Sequence, residues 1–134
     1  MNINDILYEN QMSTILLSIK PQFVAKILSG DKKFEYRKHI PNQHIDKIII
    51  YSTFPECQIV GEAKISGILS GTPADIWTQT HNQSGITPDF FFKYFHEKNV
   101  AYAYELGQIT KYQEPKKLGD FGITYAPQSF IYIQ

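Results

Sequence analysis

The run Ile48-Ile49-Ile50-Tyr51 limits this chain more than any other stretch. Side chains alternate between the two faces of a strand, so four consecutive apolar residues need apolar cover on both faces. A strand over Asp46–Thr53 therefore belongs in the middle of the fold. It ends in Ser52-Thr53-Phe54-Pro55, which brings two hydroxyls to the tip of a buried strand.

The segments around it supply its neighbours. Residues 14–19 read as a short strand, with Ile15 and Leu17 on one face and Leu16 on the other. Pro21 then stands at a first helical position, and Phe23, Val24, Ile27 and Leu28 fall at helical spacing. Gly30 supplies the left-handed residue that ends such a helix. Residues 59–69 form the longest alternating segment, with Ile59, Gly61, Ala63 and Ile65 expected on one face. Gly61 and Gly67 within it predict bulges or tight bends. Residues 70–84 read as an excursion from the sheet, opened by the helix-start pattern Thr72-Pro73-Ala74-Asp75. Thr87-Pro88-Asp89 repeats that pattern and opens a helix expected to carry Phe91, Phe92 and Phe95 on one face and to stop near Asn99. Residues 100–112 alternate again, a turn falls at Gly119–Gly122, and Phe130–Ile133 forms a closing strand. About six strands and three short helices result: an α+β chain, mainly β. Glycines inside alternating strands favour a small, partly closed barrel decorated by helices. A parallel doubly wound sheet fits less well, because strands and helices do not alternate regularly. Residues 1–12 read as an arm before a single domain over 13–134.

The densest chemistry lies in Gly30-Asp31-Lys32-Lys33-Phe34-Glu35-Tyr36-Arg37, directly after the helix stop. In extended conformation Lys33, Glu35 and Arg37 share one surface, and Glu35 and Arg37 stand about 6.6 Å apart along the strand. They can pair, or grip one ligand together, and Lys32 at the strand's mouth can lean toward the same spot. Lys20, Ser52 and Thr53 join them as candidates. A carboxylate accepts from the exocyclic amine of a base, and lysine and arginine hold phosphates. Tyr102 or Tyr104 can stack on an unpaired base, although alternating tyrosines in a strand equally suit a core.

Thirteen basic and thirteen acidic side chains give no net charge, which argues against sequence-blind duplex binding but permits a local basic cleft. One cysteine, Cys57, excludes an internal disulfide and a cysteine-based metal cluster. His39, His44, His81 and His96 show no metal-site spacing. No phosphate-binding glycine loop, dinucleotide fingerprint or nucleophile elbow occurs, so neither metal nor cofactor is expected. With no membrane span or secretory pattern, a cytoplasmic protein is the default expectation.

The pattern Gly30-x-Lys32-x-x-Glu35-x-Arg37, after an apolar helix and a Ser-Ile-Lys-Pro entry, resembles the signature of the ASCH domain family within the PUA-like superfold. The similarity extends to Tyr51-Ser52-Thr53-x-Pro55, Ile59-Val60-Gly61-Glu62 and Pro127-Gln128-Ser129-Phe130. Residues 1–12 and much of 70–86 stand outside it. The resemblance implies a small β-barrel with a cleft formed by the helix end, the charged strand and the hydroxyl-bearing strand tip. It places Lys20, Lys32, Glu35, Arg37, Ser52, Thr53, Tyr102, Gln128 and Ser129 among the ligand-binding candidates. It also implies a module that binds RNA or a modified nucleotide, often linked to transcription or translation. One branch removes an acyl group from a modified cytidine with a lysine, a threonine three residues later and a distant glutamate. Lys32 matches that lysine, but Glu35 occupies the threonine position. A binding module is therefore the first reading. A hydrolase acting on N4-acetylcytidine or on RNA is the second, with Lys32, Glu35 and Thr53 as catalytic candidates.

Overall fold

The computed structural model describes residues 13–133; the expected arm over 1–12 lies outside them. Six strands form one mixed sheet: β1 (Ser13–Ile19), β2 (Phe34–Arg37), β3 (Ile45–Ser52), β4 (Gln58–Gly71), β5 (Ala101–Lys116) and β6 (Phe130–Ile133). Three helices accompany it: α1 (Pro21–Ser29), α2 (Pro73–Thr80) and α3 (Pro88–Tyr94). The sheet order is β2-β5-β4-β3-β1-β6. β3 is thus internal, paired parallel to β1 and antiparallel to β4. Its apolar run is covered on both faces, Ile48 and Ile50 in one core cluster and Ile49 and Tyr51 in another.

Among the described residues no ladder joins β2 to β6, so the expected barrel is not closed. The two edge strands have four residues each and leave a seam between them. The long strands β4 and β5 supply the curvature, with register shifts between Ile59 and Gly61 and again between Ala63 and Gly67. Gly61 is required at the first: a Cβ there would lie 2.5 Å from the Thr110 carbonyl oxygen. The bulge also changes the faces of β4. Ile59 pairs with Tyr51 and Gly61 with Ile50, leaving Val60 as the extra residue. Ile59 therefore packs with Leu16, Ile49 and Tyr51, whereas Ala63 packs with Ile15 and Ile48. The single face expected from strict alternation is split by one inserted residue.

Helix α1 starts at Pro21 and ends at Gly30, whose φ of 89° is left-handed. It buries Val24 and Ile27 in one core cluster with Ile15, Leu17, Ile48 and Ile50 of the sheet. Thr72 and Thr87 cap α2 and α3 by accepting from the Asp75 and Phe90 amides at 3.2 and 3.1 Å. Helix α3 ends at Tyr94, well short of Asn99, because Phe95 leaves helical geometry. Only Phe91 and Phe95 of its phenylalanines are buried; Phe90 and Phe92 are exposed. Phe91 and Phe95 pack with Tyr36 and Ile76 in a second core beyond β2. No helix among the described residues is long and apolar enough to cross a membrane.

Candidate functional site

A cavity of about 950 Å³ opens at the seam, within the range that holds small ligands. Its position follows from the fold. The start of α1, Lys32 just beyond that helix and the short edge β2 form one side, while the segment entering β6 forms the other. Lys20, Lys32, Glu35, Arg37, Thr53, Gln128 and Ser129 all line it. Ser52 and Tyr102 do not. Ser52 shares the inward face of β3 with Ile48 and Ile50 and is fully buried, and Tyr102 is half-buried on β5, in register with Arg37. Tyr104, the other stacking candidate, is a core residue. Lys33 precedes β2 and is exposed, so the face expected to hold Lys33, Glu35 and Arg37 together begins only at Glu35.

Arg37 spans the seam. Its Nη2 donates to the Ser18 carbonyl at 2.8 Å, its Nη1 lies 3.5 Å from Ser129 Oγ, and Nη2 is 3.6 Å from Glu35 Oε1. Ser18 fixes the far side: its hydroxyl donates to the Pro127 carbonyl at 2.7 Å and its amide to the Ser129 carbonyl at 2.9 Å. The Pro127-Gln128-Ser129 segment is thus pinned beside Arg37. Glu35 Oε2, Arg37 Nε and Ser52 Oγ are buried without hydrogen-bond partners among the described residues. Buried polar atoms are ordinarily paired, so an acceptor and a donor left open on neighbouring side chains at a cavity invite a ligand with the complementary edge.

Lys32 is the most enclosed charge, at 2% exposure. Its Nζ donates to the Ser84 carbonyl at 2.7 Å and lies 4.8 Å from the Tyr36 ring centre and 5.5 Å from that of Phe23. Burial pushes its pKa below the usual lysine value, nearby Arg37 and Lys26 add to that, and Glu35 opposes it. Burial likewise raises the Tyr36 hydroxyl to about 12; that hydroxyl bonds Thr80 Oγ1 at 2.7 Å. Thr53 has no hydrogen bond to Lys32. Among the described residues no cluster of three or more metal-ligating side chains occurs.

Several cavity residues escaped the sequence reading. Phe23 and Phe90 meet edge to face with centres 5.2 Å apart, and both line the opening. Lys20 lies 5.9 Å over Phe90 and Lys38 4.5 Å over Tyr94. The spacing of Phe23 assigned it to the core stripe of α1; nothing in the sequence places Phe90 or Tyr94 beside it. The cavity therefore pairs lysines with aromatic rims, an arrangement suited to a planar, anionic ligand.

Comparison with known proteins places this geometry. The crystal structure of ASCH from Zymomonas mobilis superposes with a TM-score of 0.83 at 25% identity, covering 90% of this chain and 87% of that one. A protein of that organism named ASCH domain-containing ribonuclease is 28% identical over 92 residues, 68% of this chain and 62% of its own length. Large ribosomal subunit protein uL22 of Ureaplasma parvum is 28% identical over 128 residues, and ATP synthase subunit alpha of the same organism 25% over 127. This chain spans only 41% and 16% of those two relatives. The family model described as "Domain of unknown function (DUF365)" matches residues 12–128. The chain belongs to that family, and it is a domain of the ASCH type.

Proposed function

We propose that the seam cavity binds a nucleotide unit of single-stranded RNA. The observation that carries this reading is the open acceptor–donor pair of Glu35 Oε2 and Arg37 Nε, set in a cavity with Lys20, Lys32 and Lys38 and rimmed by Phe23, Phe90 and Tyr94. A base edge offers a donor beside an acceptor, its face stacks on aromatic rings, and its phosphate meets lysine. The absence of net charge fits a short single strand better than a duplex, whose binding neutralises many phosphates. The relative named as a ribonuclease supports an RNA ligand. Titrating fluorescent single-stranded RNA and mononucleotides into wild type and a Lys32→Ala, Arg37→Ala double variant tests the reading. Affinity falls at least about tenfold in the variant, since each charged hydrogen bond contributes about 1.5–3 kcal/mol. Equal affinity in a folded variant dismisses the site.

A second reading, RNA cleavage, is favoured by Lys32 itself. Its desolvated amine sits beside Glu35 and reaches the neutral form at lower pH than an exposed lysine. A neutral amine can take the 2′-hydroxyl proton as that oxygen attacks the adjacent phosphorus. Arg37 balances charge gathering on the phosphoryl oxygens, and the departing 5′-oxygen is protonated by solvent. The acylated-cytidine reading has less support, because the required hydroxyl position is a carboxylate and Thr53 makes no bond to Lys32. Incubation with RNA and with N4-acetylcytidine separates the three: no product from either leaves binding alone.

A further inference from the structure

The segment that follows β4 closes on Lys32 through the turn after α2. Ser84 and Gly85 follow the 3-10 turn His81–Gln83. The Ser84 carbonyl accepts from Lys32 Nζ at 2.7 Å, and the Gly85 carbonyl accepts from Lys26 Nζ at 3.0 Å. One residue earlier, the Gln83 carbonyl accepts from the Lys33 amide at 2.9 Å. The turn is itself fixed, because the buried Ser84 hydroxyl bonds the His81 and Ile86 carbonyls at 3.0 and 3.1 Å. Gly85 has φ +69°, and a Cβ there would lie 2.6 Å from Lys32 Cβ, 2.9 Å from Cγ and 3.2 Å from Cδ. The backbone of this turn therefore lies flush along the Lys32 stem while its carbonyl holds the ammonium.

We propose that Gly85 is a positioning residue for Lys32: only a residue without a side chain lets the Ser84–Ile86 turn seat against the lysine stem, fix its amine at the seam cavity and exclude water from it. The inference rests on the reading of that cavity as the ligand site, and it assigns a role to a segment outside the motif that carries the family likeness. A methyl group at position 85 cannot be accommodated by a small shift, since three stem carbons lie within or near overlap distance. The lysine or the turn must move, and either movement lets water reach Nζ.

The test needs no ligand. The charged groups that act on Lys32 are Lys26 from α1 and Glu35 and Arg37 from β2, and none of them changes in the variants. Side-chain NMR of lysine-labelled protein follows the Lys32 Cε and Nζ signals against pH. In wild type the Lys32 midpoint lies below those of the exposed lysines. In Gly85→Ala it moves up toward them. Gly122→Ala is the control: Gly122 has φ +72°, so it carries the same backbone cost, but a Cβ there meets nothing within 4 Å. Its Lys32 midpoint stays where it is in wild type. Should Gly85→Ala not fold, Ser84→Ala loosens the turn without touching the Lys32 stem, and its midpoint moves in the same direction. An unchanged midpoint in a folded Gly85→Ala or Ser84→Ala protein, or an equal move in Gly122→Ala, overturns the proposal. Absence of RNA binding by wild type overturns the functional reading alone and leaves these midpoints as they are. Where wild type binds RNA, Gly85→Ala weakens it about tenfold, the loss of one charged hydrogen bond.

Discussion

Arg37 Nη2 donates to the Ser18 carbonyl at 2.8 Å, so edge strand β2 is held to β1 across the open side of the sheet by a side chain in place of a ladder. Where the ladder is missing, the guanidinium bridges β2 to β1 and to the segment entering β6, and leaves room beside it. The residue that best fits a ligand role is therefore also a tie in the fold.

Arg37→Ala removes the tie and takes from the buried Glu35 its ion-pair partner. Breaking a buried pair from one side costs about 3–5 kcal/mol. Arg37→Lys keeps the charge but loses the fork whose Nη2 reaches Ser18 and Glu35 while Nη1 reaches Ser129, for about 1–2 kcal/mol. Urea unfolding followed by Trp77 fluorescence ranks the two. Equal losses would show that charge alone, without the forked geometry, holds the seam.

Lys32 makes stability depend on pH with a definite sign. Its folded pKa lies below the ordinary 10.5, so between those values the unfolded chain binds more protons and stability rises with pH. The burial cost is complete below the folded pKa and is gone above 10.5. Tyr36 and Tyr104 act oppositely. Raised to about 12, they contribute stability that is complete below 10 and lost as pH climbs through 12. Comparing wild type with Lys32→Met cancels the tyrosines. Wild type gains on the variant as pH rises toward 10.5, by at most about 1.4 kcal/mol per pH unit. A flat difference in urea unfolding across that window refutes the assignment.

Gly61 bears on the curvature that makes the seam. With a Cβ 2.5 Å from the Thr110 carbonyl oxygen, Gly61→Ala must push β5 away from β4 and costs about 2–3 kcal/mol. Gly119→Ala, where a Cβ meets nothing within 4 Å, stays within about 0.5 kcal/mol of wild type. Thermal melts of the two distinguish a strained crossing from a general sensitivity of glycines.

The sequence made the local elements readable where one rule dominated. Pro21 and Gly30 marked the ends of α1, the Thr-Pro starts at Thr72 and Thr87 marked α2 and α3, and Ile48–Tyr51 marked an internal strand. Parity failed in β4 because the bulged Val60 puts Ile59 and Ala63 on different faces, and no alternation pattern records an insertion. Lys20, Lys32, Glu35, Arg37 and Thr53 were legible as one group because Lys20 and Lys32 flank α1 and Glu35 and Arg37 lie on β2. Ser52 does end β3, but its side chain is buried on the face of Ile48 and Ile50 and does not reach the cavity. Phe90, Tyr94 and the Ser84–Gly85 turn were invisible to it, since their place at the site depends on how the excursion folds back over 50 residues from Lys32.

Phe90 offers a test of stacking separate from charge. It is 39% exposed at the cavity mouth, whereas its neighbour Phe92 is 43% exposed and lies outside the cavity. Both truncations remove a similar half-open ring, so their folding costs are alike and their binding effects need not be. Phe90→Ala weakens single-stranded RNA binding by about 1–3 kcal/mol, the contribution of one stacked base, while Phe92→Ala leaves it unchanged. The salt dependence sharpens the distinction. Phe90→Ala removes no charge, so log affinity falls with log salt along the wild-type slope. Lys20→Ala, which takes away one phosphate partner at the same rim, reduces that slope by about 0.7. Fluorescence anisotropy at several salt concentrations reads both quantities. A slope altered by Phe90→Ala, or equal losses from Phe90 and Phe92, would mean that no base stacks at the seam, leaving the lysines as a nonspecific phosphate surface.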